Sequence, residues 1–377
     1  MAPGWARPAW ILNHAGRLSF PRARPRAGPR HGAAVTLSRP MRALLAFAHS
    51  ATNAEVHLRP LWTQWLAGES LEAGVRRVTP PRALVELLPE LERRLHAIAR
   101  VQSEHPSTDG STRLLVELAD GATVESVRLA REALCISTQV GCAVGCRFCK
   151  TGESGLLRQL APEEMLAQVA LARARGPVRR VVLMGMGEPM HNLDNVLEAL
   201  VWLGGPGRLA HKSIVFSTVG EPALFERLRA HSVRPALALS LHTTDAELRS
   251  ELLPRAPRVE PAELLTAACD YADAVTWPLQ VQWTLLEGIN DSDREVERLV
   301  ELLRGRRAML NLIPWNEVEG FGFRRPDPLR ARDMVRALKA RGVFATIRRS
   351  GGQDVEGACG QLRARSLPPR RREKSQP

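Results

Sequence analysis

Four of the six cysteines lie within fifteen residues of one another, which indicates a metal site rather than a set of disulfides. Three of them, Cys142, Cys146 and Cys149, form a Cys-x3-Cys-x2-Cys pattern just after a predicted strand. Three thiolates can bind three irons of a cubane 4Fe-4S cluster and leave the fourth iron without a protein ligand. Structural zinc usually takes four ligands in close cysteine pairs, and the sequence has no second pair. The pattern therefore predicts an iron–sulfur cluster.

Further polar residues stand at the ends of predicted strands, where a small molecule could bind. The segment Gly185-Met-Gly-Glu-Pro189 follows a strand that ends at Met184. Gly187 would let the backbone approach a ligand closely, and Glu188 could accept hydrogen bonds from an ammonium group. In isolation the segment would be interpreted as a plain Gly-Pro turn, and only its place behind the cluster motif favours a ligand site. Five more residues, each weak evidence alone, occupy similar positions: Ser217, Ser240, Leu241, His242 and Asn316.

The elements that must position these residues alternate between short apolar strands and helical stretches. A helix is predicted to open at Pro162-Glu-Glu164, since proline in the first turn and acids near the positive helix end are both favourable. This βα repeat carries no dinucleotide fingerprint, so it predicts an α/β fold with a full or partial β/α barrel and an active site at the C-terminal ends of the strands. The predicted strands are 134–137, 181–184, 213–217, 236–241, 280–286, 310–313 and 344–347.

Ahead of the repeat, the sequence predicts a hairpin of two strands, 114–118 and 123–129, joined by the Asp120-Gly121 turn. Strand alternation places Glu125 on the same face as Val127 and Leu129, where its carboxylate would be partly desolvated. The pattern alone favours the alternative, an edge-strand glutamate that faces solvent.

The remaining parts of the chain suggest a division into four regions. Residues 1–40, rich in Arg and Pro, are expected to be a disordered basic extension or an artefact of the assigned start codon, with Met41 as a possible first residue. Residues 41–110 are expected to form a small helical accessory domain, in which Pro89 should kink or split the second helix. Residues 111–362 are expected to form the barrel core with its preceding hairpin, and residues 363–377 a basic disordered tail.

The formal net charge of +13 comes from the two ends of the chain. Residues 1–50 contribute +8 and residues 363–377 contribute +5, so residues 51–362 are formally neutral. RNA binding by the body would therefore have to come from local patches. The sequence has no apolar run of membrane-spanning length, so a protein that does not bind membranes is expected. It also has no secretory signal, and the two remaining cysteines, Cys269 and Cys359, stand far apart, so a cytoplasmic location is expected.

Five ordered motifs between about residues 114 and 362 resemble the RlmN and Cfr family of radical S-adenosylmethionine (SAM) RNA methyltransferases. They are Cys135-Ile-Ser-Thr-Gln-Val-Gly-Cys142, Gly185-Met-Gly-Glu-Pro189, Ser240-Leu-His242, Asn311-Leu-Ile-Pro-Trp-Asn316 and Ala358-Cys359-Gly-Gln-Leu362.

The resemblance implies a two-SAM mechanism that moves a methyl group to an electron-poor carbon of adenine. It implies that Cys359 is methylated first, that a radical generated from a second SAM activates this S-methyl group, and that the carbon radical adds to the base. It implies that Cys135 resolves the covalent adduct by forming a disulfide with Cys359. Glu125 matches the residue proposed as the proton acceptor in this family. The resemblance therefore reverses the preference for a solvent-facing glutamate that the strand pattern alone gives. Cys269 matches no motif and is expected in the core.

The sequence thus predicts an RNA adenine-C-methyltransferase, with ribosomal RNA favoured over transfer RNA, an electron donor for the cluster and a monomeric state. Gly187, Glu188, Ser217, Ser240, Leu241, His242 and Asn316 are the residues expected to bind SAM. One alternative is a radical SAM enzyme that acts on a small molecule or a protein. The other is a non-catalytic cluster protein that binds RNA or senses redox state, which would have no need of Cys359.

Overall fold

The computed structural model describes residues 11–12, 18–19, 39–52, 55–75, 79–153 and 155–363. Most of the expected N-terminal extension and all but the first residue of the expected C-terminal tail lie outside these residues. The helices are α1 (Arg39–His49), α2 (Glu55–Ala67), α3 (Leu71–Val75), α4 (Arg82–His96), α5 (Lys150–Glu153), α6 (Pro162–Arg173), α7 (Leu193–Gly204), α8 (Pro222–Ala230), α9 (Ala246–Leu252), α10 (Pro261–Val275), α11 (Asp293–Leu303) and α12 (Pro328–Ala340). None of these described helices has the length and apolar character needed to cross a bilayer.

The strands form one large sheet and two small ones within the described residues. They are β1 (Ile11–Leu12), β2 (Leu18–Ser19), β3 (Ala99–Pro106), β4 (Thr112–Leu118), β5 (Thr123–Leu129), β6 (Ala133–Cys135), β7 (Gln139–Gly141), β8 (Leu156–Gln159), β9 (Arg180–Leu183), β10 (Ile214–Thr218), β11 (Ala236–Ser240), β12 (Leu279–Leu285), β13 (Ala308–Pro314) and β14 (Ala345–Ile347). β1 pairs with β2 and β7 pairs with β8, both antiparallel.

The large sheet has the order β14-β13-β12-β11-β10-β9-β6-β5-β4-β3. All neighbours from β14 to β6 are parallel, and these seven strands are the seven that the sequence predicts. Because β14 and β3 are the two edges, strand pairing does not close the sheet. The α/β fold is therefore confirmed, with a partial barrel as its form.

Helices cover the parallel strands, whose residues read as nearly continuous apolar runs because both faces are buried. All five residues of β10 are buried, and Trp283 of β12 is fully buried. One continuous apolar core joins the sheet to helices from both ends of the chain, including Met41 of α1 and Leu338 of α12.

The N-terminal helices pack on α6 and α7. Trp62 of α2 meets Trp202 of α7 edge to face, with ring centroids 5.7 Å apart. The predicted split at Pro89 is wrong, because α4 continues through it. A proline removes only one helical hydrogen bond, and the buried leucines at 84, 88, 91 and 95 hold both halves of α4 on one face. The helical region passes directly into β3, a strand that the sequence pattern did not predict.

The predicted hairpin is confirmed as β4 and β5, paired antiparallel with Leu115 opposite Glu125. β5 also pairs with β6, so it is an interior strand. The segment after β14, residues 348–363, crosses the open side of the sheet toward this hairpin. Gly352 N donates to Asp109 at 2.9 Å, and Thr108 N donates to Asp354 at 3.0 Å. The open side is thus spanned by a loop segment.

Gly68 gives a test of the contact between the helical region and the sheet layer. Its φ is +74°, and an added Cβ would lie 2.3 Å from the backbone nitrogen of Ala174, just after α6. Gly121 is a matched control, since its φ is +82° but no atom lies within 4 Å of an added Cβ. Each Gly→Ala change should cost about 1–2 kcal/mol for the left-handed backbone.

We expect Gly68→Ala to lower the free energy of unfolding by clearly more than Gly121→Ala, because only the first adds a clash with backbone. Urea unfolding followed by circular dichroism measures both. Equal losses would show that the helical region does not pack on α6 as described.

Candidate active site

The cysteine loop, residues 136–149, follows β6 and leads into α5. Its backbone is held by the end of α9 and the residues after it: Arg147 N donates to Leu252 O at 3.0 Å, and Arg255 N donates to Val144 O at 3.3 Å. Phe148 packs its ring against His242, with centroids 4.9 Å apart. These contacts all come from residues 242–255, the segment that begins just after β11 and contains α9.

The three thiols of this loop share a desolvated environment. Burial raises the pKa of Cys142 to about 12 and also raises the pKa values of Cys146 and Cys149, and the thiols raise one another further. Such thiols keep their protons unless a cation replaces them, and metal binding must release those protons. This donor set fits a cationic iron cluster.

The three cysteines are not arranged around one point that a single metal ion could occupy. Within the described residues, no group of three or more His, Cys, Asp or Glu side chains is arranged around one metal ion. A cubane takes one thiolate per iron, so its three cysteines need not converge on a single point. The choice of a cluster over zinc therefore rests on the cysteine spacing.

The Gly185–Pro189 segment follows β9 and places a buried carboxylate beside the cysteines. Gly187 has a φ of +102°, and a Cβ there would lie 2.6 Å from the Gln139 side chain. Glu188 accepts from Met190 N at 3.0 Å and from Val219 N at 2.9 Å. Burial raises its pKa, and its charge in turn raises the pKa values of two of the cluster cysteines. A cationic ammonium group would stabilise this carboxylate.

The other residues predicted to bind SAM fall into two groups. Ser217 and Ser240 lie at the C-terminal ends of the neighbouring strands β10 and β11. Leu241 is fully buried and donates its backbone N–H to Gln282 O at 3.1 Å, so only its backbone carbonyl could face a ligand.

His242 and Asn316 already have structural partners. His242 Nδ1 accepts from Thr284 N at 2.9 Å, and burial lowers its pKa to about 3, which leaves the ring neutral. Asn316 Nδ2 donates to Cys359 O at 2.9 Å. Asn316 thus positions the Cys359 backbone, a contact that its place after β13 did not reveal.

Cys135 and Cys359 come together although 224 positions separate them, and both are free thiols. Lys150 N donates to Gly360 O at 2.7 Å, which holds the Cys359 turn against the end of the cysteine loop. Burial raises the pKa of Cys135 to about 12, and the neighbouring Cys359 raises it further. The Cys359 thiol also raises the pKa of Cys149, so it lies near the cluster loop as well as near Cys135.

Both thiols line a cavity of about 1060 Å³ inside the partial barrel. Its walls include Val182 and Val215 from the parallel strands and Arg348 from the segment after β14. Arg348 donates to Gln282 Oε1 at 3.2 Å and thereby supports the polar wall. The cavity offers a space in which a substrate could reach Cys359.

Glu125 is fully buried, so the solvent-facing interpretation from strand pattern is wrong. The reason is that β5 is covered by β4 and β6, whereas the pattern alone favoured an edge strand. The carboxylate forms an ion pair with buried Arg113 and accepts from Arg363 N at 2.8 Å. Arg113 was not foreseen, because nothing in a strand sequence identifies a cross-strand charge partner.

Arg249 of α9 is a second buried cation that the sequence analysis missed. It is 3% exposed and donates through Nη2 to Val219 O at 2.7 Å. Burial lowers its pKa to about 10, while the nearby Cys146 and Glu188 act in the opposite direction. An arginine in a short helix normally indicates an exposed face, so no local signal could have found it.

Comparison with known proteins agrees with this geometry. Residues 136–302 match the model of the Radical SAM superfamily. A probable RNA methyltransferase of Ectopseudomonas mendocina is 55% identical over 315 residues, which cover 82% of this chain and 91% of the relative. A probable RNA methyltransferase of Methylibium petroleiphilum is 60% identical over 287 residues, with 76% and 82% covered. The chain belongs to the RlmN and Cfr type of radical SAM RNA methyltransferases.

A solved structure supports the same assignment. The crystal structure of a radical SAM methyltransferase from Sphaerobacter thermophilus matches with a TM-score of 0.75 and 33% identity, covering 86% of this chain and 97% of that one. The family uses a 4Fe-4S cluster and SAM, and the desolvated thiols and the buried Glu188 carboxylate fit these groups. This chain is therefore a SAM-dependent methyltransferase of the radical type.

The cluster ligands can be tested by anaerobic reconstitution of this methyltransferase. Wild type should bind about four irons per chain, because three thiolates and one open iron suit a cubane. Replacing Cys142, Cys146 or Cys149 by Ala should abolish the iron and its absorbance. Cys269→Ala is the matched control, since Cys269 is buried in α10, outside the cysteine loop. Stoichiometric zinc without iron in wild type would refute the assignment.

Proposed function

We propose that this enzyme transfers a methyl group to an adenine carbon of RNA through an S-methylated Cys359, with ribosomal RNA favoured over transfer RNA. The observation that carries the proposal is that Cys359 and Cys135 line one cavity beside the three-cysteine loop. The relatives named as probable RNA methyltransferases support RNA as the substrate. A non-catalytic cluster protein would have no use for this thiol pair.

In this proposal Cys142, Cys146 and Cys149 hold the cluster. Glu188 accepts hydrogen bonds from the ammonium group of SAM, and Gly187, Ser217, Ser240, Leu241, His242 and Asn316 contribute to its pocket. When bound, the cluster and SAM supply the methyl group and the radical chemistry that an electron-poor aromatic carbon requires. Asn316 and the backbone of Lys150 keep Cys359 at the cofactor side of the cavity.

Cys359 carries the methyl carbon, and Glu125 accepts the proton that leaves the adenine carbon. The one electron that must leave with that proton to restore the aromatic ring would be taken up by the cluster that Cys142, Cys146 and Cys149 hold. Glu125 lies on the inner face of β5, two residues before Val127 of the cavity wall, where Arg113 keeps it in place. The resulting adduct joins the base through a methylene carbon to the Cys359 sulfur.

Cys135 then releases the RNA. Its thiolate attacks the Cys359 sulfur, which forms an S–S bond and breaks the bond from that sulfur to the methylene carbon. The carbon keeps the electron pair and takes up a proton to become the methyl group. A thiol reductant restores both cysteines, and a separate electron donor serves the cluster. We propose the cytoplasm as its location, because a reducing compartment keeps cluster and catalytic cysteines as thiols.

Loss of Cys135 should trap the enzyme on its RNA. In Cys135→Ala the methyl carrier still forms and still adds to the base, but no neighbouring thiol can resolve the adduct. The protein purified from cells should therefore carry nuclease-sensitive RNA on a denaturing gel. Methylated adenosine, measured by mass spectrometry of RNA nucleosides, should be lost.

Two controls separate the roles of the cysteines. Cys359→Ala should carry no methyl group and no RNA, and the Cys135→Ala, Cys359→Ala double variant should carry no RNA either. Full methyltransferase activity in either single variant would refute the proposed roles. Unchanged RNA nucleosides in cells with and without the gene would refute RNA as the substrate.

A further inference from the structure

The two ends of the parallel strands carry opposite charge. Six loops that lead into β6, β9, β10, β11, β13 and β14 together hold ten Arg or Lys residues and one acidic residue, Glu132. The loops that follow β6 and β9 to β13 hold three basic and eight acidic residues. The first set is 130–132, 174–179, 205–213, 231–235, 304–307 and 341–344. The second is 136–149, 184–192, 219–221, 241–245, 286–292 and 315–327. We call the first set the basic end; the second lies on the cofactor side.

Most cations of the basic end are available to a partner. Nine of the ten are exposed. Arg131, Arg234 and Arg306 form no salt bridge with any described residue, and the same holds for exposed Arg180 at the start of β9. The two histidines in these loops stay neutral near pH 7, because burial lowers their pKa values. The formally neutral body thus presents a strongly basic surface on one side.

The active-site cavity reaches the same end. Arg131, Arg179 and Arg180 line it at the starts of β6 and β9, while Cys135 lines it from the end of β6. β6 spans only Ala133 to Cys135, so the thiol lies about 7 Å further along the strand. The cavity of about 1060 Å³ is slightly larger than the usual range of small-molecule sites, roughly 300–1,000 Å³, so a nucleoside would fit.

We infer that the RNA backbone binds across the basic end and that the target nucleotide enters the cavity from there, opposite the cofactor side. The identity of the polyanion as RNA rests on the function proposed above. Phosphates are attracted to the basic end and repelled by the acidic loops at the other end, so the field of the protein selects the side of approach. Substrate and cofactor then meet at Cys359 from opposite ends of the strands.

Charge variants of the reconstituted holoprotein test this assignment. The test variant is Arg131→Gln with Arg180→Gln. The matched control is Arg258→Gln with Arg332→Gln, two exposed arginines away from the basic end that form no salt bridge with a described residue. Affinity for a labelled single-stranded RNA oligonucleotide of mixed sequence is measured over a range of salt concentrations. Iron content and circular dichroism confirm that each variant is folded.

The slope of log affinity against log salt should fall by about 1.4 in the test variant, since each lost phosphate contact removes about 0.7 for single strands. It should stay at the wild-type value in the control. A wild-type slope in the folded test variant, or an equal fall in both variants, would overturn the inference. If wild type itself neither binds nor methylates RNA, the proposed function fails first and this inference falls with it.

Discussion

Parallel pairing is the constraint on which the site depends. Because β6 and β9 to β14 all run in the same direction, every loop that follows a strand lies at one end of the sheet and every loop that precedes a strand lies at the other. The cysteine loop and Glu188 therefore become neighbours although the sequence separates them. The same constraint gathers arginines from six separate loops at the opposite end, where they act together on a polyanion.

A partial barrel has an open side, and the chain covers it with residues 348–363 instead of a strand. This segment carries Cys359, so the position of the proposed methyl carrier depends on how firmly the segment is held. The buried ion pair of Glu125 and Arg113 provides a central link, since Glu125 also accepts from Arg363 N and Arg113 donates to Val355 O. Removing one partner of such a buried pair typically costs about 3–5 kcal/mol, because a charge is left uncompensated.

Desolvation governs the chemistry at the cofactor side. Three thiols and one carboxylate with raised pKa values lie close together, so the binding of a cation would stabilise their charged forms. Arg249 is the protein's own cation at this site, and its bond to Val219 O ties it to the residue whose N–H binds Glu188. The cysteine loop is held by backbone contacts from the end of α9 and by Phe148 against His242.

Local patterns determined much of this protein. The alternation of strands and helices, the Asp120-Gly121 hairpin and the cysteine spacing are each encoded within a few residues, because periodicity and turn chemistry are local properties. The sequence did not reveal β3, whose alternating residues are mostly polar, or the continuity of α4 through Pro89. The strand pattern wrongly placed the Glu125 side chain in solvent, since the burial of a strand depends on its neighbours in the sheet. The bonds of Asn316 to Cys359 and of Arg249 to Val219 join residues distant in sequence, and the ion pair of Glu125 with Arg113 depends on how their two strands pair. The separation of charge between the two ends of the parallel strands also depends on the fold, and the formally neutral charge of residues 51–362 conceals it. Only the tertiary structure decided these features, because each depends on which strands pair and which ends meet.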